Sequence, residues 1–509
     1  MTTTQSPQTA SEPSTFSPGH PAATTASRKR KASQSLPRPN VRETGLMRDT
    51  GGDDTARFVG SSSGIHFIRN VHVRLARQSA TRTRHSRPEG GDGAGMGELV
   101  PGEDDQLRRR ATERDGVRVD LWERHEASSE EGPAPSFDQL VEWSRSYFES
   151  WHPIWPFLHG PEVLQHFEDI SQSGISSLHH LDLCIVRSIL SISLADSRQS
   201  ASLNNPIPMS LLFRTVDEAV SASQFALCEP ASVRATQAAL SIQLFLTSML
   251  CLNAASRLGG LVVRMAYHLG LHRCPTRFPF FSPEQAALRR RVFWCIYCCE
   301  RFLCQALGLP LDIQDDDIDV CYPGDEEHGG PSEGEEDKRL RMLSYMVKHA
   351  KIRGQILELR NKSIVTRQDT ADRAIVVQTE LARWANEIQD TVEEAESGDE
   401  AEEGVSSGHR LVLLLSKYES LISLNRPMMA SDASTPSWSA AMQACISAAK
   451  SICITMKRHA NRNKGPDTAR PTLAAPMLWP SFTWAVWISA FVLAYAAFEQ
   501  QMPLDSALR

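Results

Sequence analysis

No cysteine occurs before Cys184, and the eleven that the 509-residue chain contains follow no spacing that suggests a disulfide ladder. A reducing compartment is therefore expected. No apolar stretch follows a basic start at the N-terminus, which argues against secretion. Strand-rich regions and internal repeats are absent too, so nothing in the pattern favours a β-architecture or a solenoid. Residues 1–56 have few large apolar side chains and are dominated by Ser, Thr, Pro, Gly and charge. Burial there would not offset the ordering entropy, and a disordered tail is expected.

Charge is unevenly placed. The net value of −7 conceals seven arginines and no acid between residues 55 and 88, and acidic runs at 325–337 and 393–403. Within the tail, Arg28, Lys29, Arg30 and Lys31 read as a nuclear import patch.

The apolar pattern is helical. Leu258, Leu261, Val262, Met265 and Leu269 share one face, as do Leu288, Val292, Cys295, Cys299, Phe302, Leu303 and Ala306 after Ser282-Pro283. Gly270 and Gly308 stand where each pattern stops and suit left-handed caps, and Pro310 forbids further helix. Trp294 lies off the main stripe, yet its size makes a core position the expectation. Val377, Leu381, Trp384 and Ile388 form a third stripe, and Leu411–Leu424 a fourth, ahead of Asn425, Arg426 and Pro427. These patterns predict an all-α fold: a tail at 1–56, an island at 57–78, a flexible linker at 79–135 and one large helical domain at 136–509. The island carries Phe58, Val59, Ile65, Phe67, Ile68, Val71 and Leu75 around a Gly60–Gly64 turn and is expected to dock on the domain.

Several motifs follow one another along these helices. The chain supplies Ala266, Leu269, Gly270, Leu271, His272 and Arg273, then Ser282, Pro283 and Glu284. It continues with Arg289, Arg290, Arg291, Phe293, Trp294, Tyr297, Arg301, Gly308, Pro310, Leu311 and the acidic turn at 315–319, with Asp317, Ile318 and Asp319. In this order they resemble the regulatory region of fungal zinc-cluster transcription factors, which shows A-x-x-L-G-L-H-R, then S-P-x-E, R-R-R-x-F-W-x-x-Y-x-x-D-R, G-x-P-L and D-x-D-I-D. Cys274, Glu300 and Leu309 depart from the pattern. The island is similar to the family's G-x-S-S-G-x-x-F segment, W-H-P-x-x-P-F-L-H recurs at 151–159, and Arg426-Pro427 matches its R-P. The resemblance implies a nuclear transcriptional regulator, with pathway-specific control of metabolic genes as a family analogy. Its implied partners are the transcription machinery or a DNA-binding protein, in a homo- or heterodimer.

Family members grip DNA through six cysteines that hold two zinc ions. None of those cysteines is present here, so no cofactor is expected in this chain; zinc would enter only through a module beyond it. The arginine-rich stretch predicts weak, non-specific DNA contact.

Other constellations point elsewhere. Gly60, Ser62 and Gly64 match the G-x-S-x-G nucleophile elbow, making Ser62 a candidate hydrolase serine, but the sheet that this motif needs is not foreseen. His268, His272 and Cys274 have metal-ligand spacing, although a cationic His272 meeting a helix C-terminus is the preferred reading. Cys295, Cys298, Cys299 and Cys304 spread round one helix as core residues do. Asp315, Asp317, Asp319 and Glu326 fit an EF-hand frame that lacks its glycine. Ser481–Phe498, about 18 uncharged residues, supports a membrane-anchored alternative, against which a buried helix is favoured. No membrane contact is expected.

Overall fold

A computed structural model describes residues 46–48, 57–68, 71, 120–123, 125–128, 134–198, 206–323, 334–361, 370–389, 391, 405–429, 435–462 and 480–508. The Arg28–Lys31 patch and most of both acidic runs lie outside these residues. Of residues 1–56 only β1 (Leu46–Arg48) is described; it pairs antiparallel with β2 (Arg57–Val59), Leu46 opposite Val59. A second small pair joins β3 (Ala127–Ser128) in parallel to β4 (Ile207–Pro208).

Everything else is helix and connection. Ser136 starts α1 (Phe137–Ser146) with a capping box: its side chain accepts from the Gln139 backbone N–H, and Gln139 reaches back to the Ser136 N–H. A π-turn, Tyr147–Trp151, prolongs that helix. Next come α2 (Gly160–Ser173), α3 (His180–Ser197), the short α4 (Val216–Ala222) and α5 (Phe225–Cys228), and α6 (Val233–Ser248). All fourteen residues from Ala235 to Ser248 are buried, which an amphipathic surface helix could not tolerate. Ala, Ser and Thr let neighbours approach on every side, and their hydroxyls are satisfied locally: Ser241 Oγ donates to Gln237 O and Thr247 Oγ1 to Gln243 O.

α7 (Leu252–His268) ends in a Schellman motif, with Leu271 N–H on Ala266 O, Gly270 N–H on Tyr267 O, and Gly270 at φ 65°. The long α8 (Pro283–Leu307) begins with a second capping box, Ser282 with Gln285, and Pro283 in its first turn. It stops at left-handed Gly308, where Leu309 N–H closes on Cys304 O at 3.0 Å. Then follow α9 (Gly334–Asn361), α10 (Thr370–Glu387), α11 (Ser407–Met429), α12 (Pro436–Arg462), α13 (Pro480–Phe498) and α14 (Leu504–Leu508).

The helices pack in a relay: α1 on α3, α3 on α6, α6 on α7, α7 on α8, α8 on α9, α9 on α10 and α11, α11 on α12, and α12 on α13. One hydrophobic core runs through them from Leu140 to Ala496. The stripe Val377, Leu381, Trp384 and Ile388 is buried, and Trp384 Nε1 donates to Tyr345 O at 3.0 Å. α11 does not stop before Asn425 but runs on to Met429, with Pro427 inside its final turn. On α13, Phe482, Ala485, Ile488, Ser489, Val492, Tyr495 and Ala496 are buried within the domain. Among the described residues no helix is long and apolar enough to cross a membrane.

Candidate functional site

The resembling motifs between Ala266 and Asp319 meet along α8. Asp319 is the joint between two of them. Its backbone N–H donates to His272 O at 3.2 Å, and its Oδ1 accepts from Cys274 N–H at 2.8 Å. Arg277 Nη1 reaches its Oδ2 at 2.7 Å and Arg273 Nη1 lies 3.5 Å from the same atom. The turn after α7 is thereby fastened to the acidic turn after α8. Burial, with Arg273 adding to it, holds the His272 imidazole below its ordinary value, which disfavours the expected cationic form, and the ring stands edge-on to Tyr267.

One turn deeper sits a buried ion cluster. The Arg301 side chain is fully enclosed and donates to Glu300 Oε2 at 2.6 Å, Ile313 O at 2.9 Å and Asp315 Oδ1 at 2.7 Å. Tyr297 O–H donates to the same Asp315 oxygen at 2.8 Å, with its ring beneath the guanidinium. Glu300 accepts in addition from Asp312 N–H at 2.6 Å. Burial raises the Glu300 carboxyl above its ordinary value, and Arg301 pulls the other way. The guanidinium itself resists burial because Glu300, Tyr297 and Asp315 hold its proton. Glycine at 354 makes the cluster fit against α9, since a Cβ there would stand 2.7 Å from Arg301 Nε.

A second pair lies between α9 and α11, where Arg353 meets Glu419 at 3.3 Å. Glu419 also faces Arg426, so two buried cations share one carboxylate. Arg426, pushed down to about 10 by burial against the pull of Glu419, finds its further acceptor in the Ser62 carbonyl.

Residues 57–68 thus form a strap over the domain. Its turn at 60–63 leads into a helical stretch at 64–68. Ser63 Oγ donates to Ala306 O at 3.0 Å, at the end of α8. Gly60 lies against Gly308, where a Cβ would come within 2.7 Å of the Gly60 carbonyl oxygen. Gly64 is pressed on Trp484 of α13 so closely that a Cβ would overlap the indole. Phe67 packs edge-on to Phe491 and Tyr495, with centroids 5.8 and 6.3 Å away.

The remaining motif residues take supporting places. Leu269 caps α7, and its carbonyl accepts from Arg289. Leu271 and Phe293 are buried, Arg290 and Arg291 half-buried. Trp294 is 3% exposed and donates through Nε1 to Cys321 O at 2.8 Å. The Pro310 carbonyl receives the Cys304 thiol, Asp317 is exposed, and Ile318 packs on the core. Arg353 and Glu419 were not among the residues singled out in the sequence. Their only signal is a charge standing at the apolar phase of a helix.

The other constellations resolve into structure. Ser62 is 4% exposed beneath α11, after a three-residue strand, which closes it to a substrate and removes the sheet that a nucleophile elbow needs. Asp315 and Asp319 serve the arginines just described, not a calcium ion, and Glu326 lies outside the described residues. Glu300, Cys304 and Asp312 hold ligand-type atoms within 4.8 Å of one another. The adjacent Arg301 already neutralises Glu300, so this group does not suit a cation. Cys295, Cys298, Cys299 and Cys304 are all buried, and burial raises every one of their thiols.

Comparison with known sequences agrees with this picture. The profile described as "Fungal specific transcription factor domain" matches residues 145–394. Probable transcription factor FUP6 of Fusarium proliferatum is 28% identical, over 92% of this chain and 72% of that protein. Transcriptional activator protein acu-15 of Neurospora crassa is 26% identical, over 60% of this chain and 33% of its own length. Regulatory protein CAT8 of Saccharomyces cerevisiae is 28% identical over 25% of this chain and 10% of its own. By their names these relatives are transcription factors and regulatory proteins. Over residues 145–394 the chain is thus similar to the domain that fungal transcriptional regulators carry.

Proposed function

We propose that the chain acts in the nucleus to control a set of metabolic genes. The helical domain is the regulatory body in this reading, and sequence-specific DNA contact is supplied by a zinc-bearing module or partner. Arg28–Lys31 delivers the chain to the nucleus, and the arginines of residues 55–88 add salt-sensitive, sequence-independent contact to phosphates. The transcription machinery, or a second DNA-bound copy or relative, is the partner. The docked strap carries the reading: in chain order it stands between the basic tail and the helices, and Arg426 ties it to the domain's charged interior.

The test fuses the full chain to a heterologous DNA-binding domain upstream of a reporter gene. Expression is expected to rise or fall against the DNA-binding domain alone; an unchanged reporter, with the fusion confirmed in the nucleus, overturns the proposal. In parallel, selection of randomised duplexes by the purified chain at physiological salt should enrich no motif. Enrichment would contradict the assignment of base reading to another module.

A further inference from the structure

Cys274 follows the turn after α7 and Cys321 follows the acidic turn, 47 residues later, yet their Sγ atoms lie 3.6 Å apart. Both backbones are held in register independently of the sulfurs. Asp319 accepts from Cys274 N–H, and Trp294, stacked on Tyr322 with ring centroids 5.0 Å apart, donates to Cys321 O. A disulfide spans about 2.0 Å, so the sulfurs need to close by about 1.5 Å, a distance within the reach of side-chain rotation. Both side chains are buried, Cys274 at 0% and Cys321 at 9% exposure, but only a thin layer covers them: Arg273, Arg277 and Phe278, next to Cys274 along the chain, are open to solvent. Cys295 and Cys299 lie instead in the stretch of α8 where every residue is buried.

Sulfur chemistry distinguishes the pair further. Burial opposes ionisation of Cys274, but hydrogen bonding with Thr276, whose Oγ1 is 3.0 Å from its Sγ, and with Cys321 outweighs it and holds the thiol below its ordinary value. Thiolate character governs attack on oxidants. The α8 thiols are shifted the opposite way.

We propose that Cys274 and Cys321 form a dithiol site for hydroperoxides, which closes to an intramolecular disulfide joining the two motif turns. The Cys274 thiolate attacks one peroxide oxygen, the O–O bond breaks, and with hydrogen peroxide a sulfenic acid and hydroxide result; the hydroxide takes back the proton that the Cys274 thiol had released and leaves as water. Cys321 sulfur then attacks the sulfenic sulfur, the S–O bond breaks, and the departing hydroxide takes the Cys321 proton as a second water. Two thiols are oxidised and one hydroperoxide is reduced. The bond staples across α8 the same junction that Asp319 fastens non-covalently. This site stands independently of which genes the chain controls.

The experiment exposes the full-length reduced chain to hydrogen peroxide, blocks remaining thiols with N-ethylmaleimide and maps tryptic peptides without reduction. A Cys274–Cys321 linked peptide is expected, with the free-thiol signals of both residues lost in equal proportion while Cys295 and Cys299 remain alkylatable after unfolding. Cys321→Ser should leave a dimedone-reactive sulfenic acid at Cys274 and no linked peptide, and oxidation should raise the Tm of the parent but not of this variant. Free Cys274 and Cys321 at doses that fully oxidise exposed Cys228, or linkage of either to a different cysteine, would overturn the proposal. The parent measurement decides the matter even if the variant folds poorly.

Discussion

Two buried carboxylates, one near the start of the helical relay and one in its middle, show how differently this domain handles internal charge. Asp196 on α3 is 5% exposed and receives Ser146 Oγ and Trp151 Nε1, each at 2.7 Å, on the same oxygen. Both donors are neutral, and burial pushes the carboxyl up to about 7. Glu300 on α8 is 4% exposed, but a fully enclosed arginine sits against it. The first site can shed its charge by taking a proton near neutrality. The second retains an ion pair and extends it, through Asp315, to the acidic turn. Stability in the α1–α3 region is therefore tied to pH, and in the α8–α11 region to the integrity of charge pairs.

The largest effect expected from breaking that contrast is at Arg301. Arg301→Met keeps much of the side-chain length but leaves Glu300 buried without its cation, and should cost about 3–5 kcal/mol in urea denaturation. A loss below about 1 kcal/mol would mean that Glu300 simply protonates as Asp196 does.

Asp196→Asn should act in the opposite direction. The folded-state value of Asp196 lies above the ordinary 3.8, so its favourable contribution is complete below that value and disappears as pH rises through about 7. An amide keeps an acceptor for Ser146 and Trp151 and has no proton to lose. The variant should gain stability above neutrality, by up to about 4 kcal/mol, and its stability should vary less between about pH 4 and pH 8 than the parent's. Parallel pH profiles for the two proteins would place the titrating group elsewhere.

A smaller effect is expected where the strap meets the end of α8. Gly308 combines φ 72° with contact to the Gly60 backbone, so Gly308→Ala should cost about 1–3 kcal/mol and loosen the strap before the helices. Thermal unfolding combined with limited proteolysis around residue 60 would detect both.

Much of the fold was legible because apolar period and end signals agree. The stripe from Val377 to Ile388, the Ser136 and Ser282 starts, and the Gly270 and Gly308 stops each obey a local rule that the tertiary packing does not override. Trp294 shows the limit. A single stripe leaves it off the core face, but α8 is covered by α6, α7 and α9, and every residue from Val292 to Arg301 is buried. Periodicity describes a helix with one wet side, and α8 has none along that stretch. The apolar stripe ends at Leu424, yet α11 runs on to Met429 with Pro427 inside it, although the proline has no N–H to give to the turn before it. The charged interior was the least visible part. Arg353, Glu419 and Arg426 are residue types that normally face water, and only the folded arrangement supplies the partners that permit them inside. Of the candidate residues, the acidic turn and the Leu269–Arg273 turn were recognisable as motifs, but their meeting through Asp319 depends on contacts 42 to 47 residues apart in the chain.

The account rests most heavily on Arg426 as the link between strap and interior, and amide hydrogen exchange on the full-length chain addresses it directly. In the parent, amides at 63–68 should be protected, and Arg426→Leu should accelerate their exchange while those of α3 and α6 keep their rates. Equal strap exchange in parent and variant, or a strap that exchanges freely in both, would contradict it.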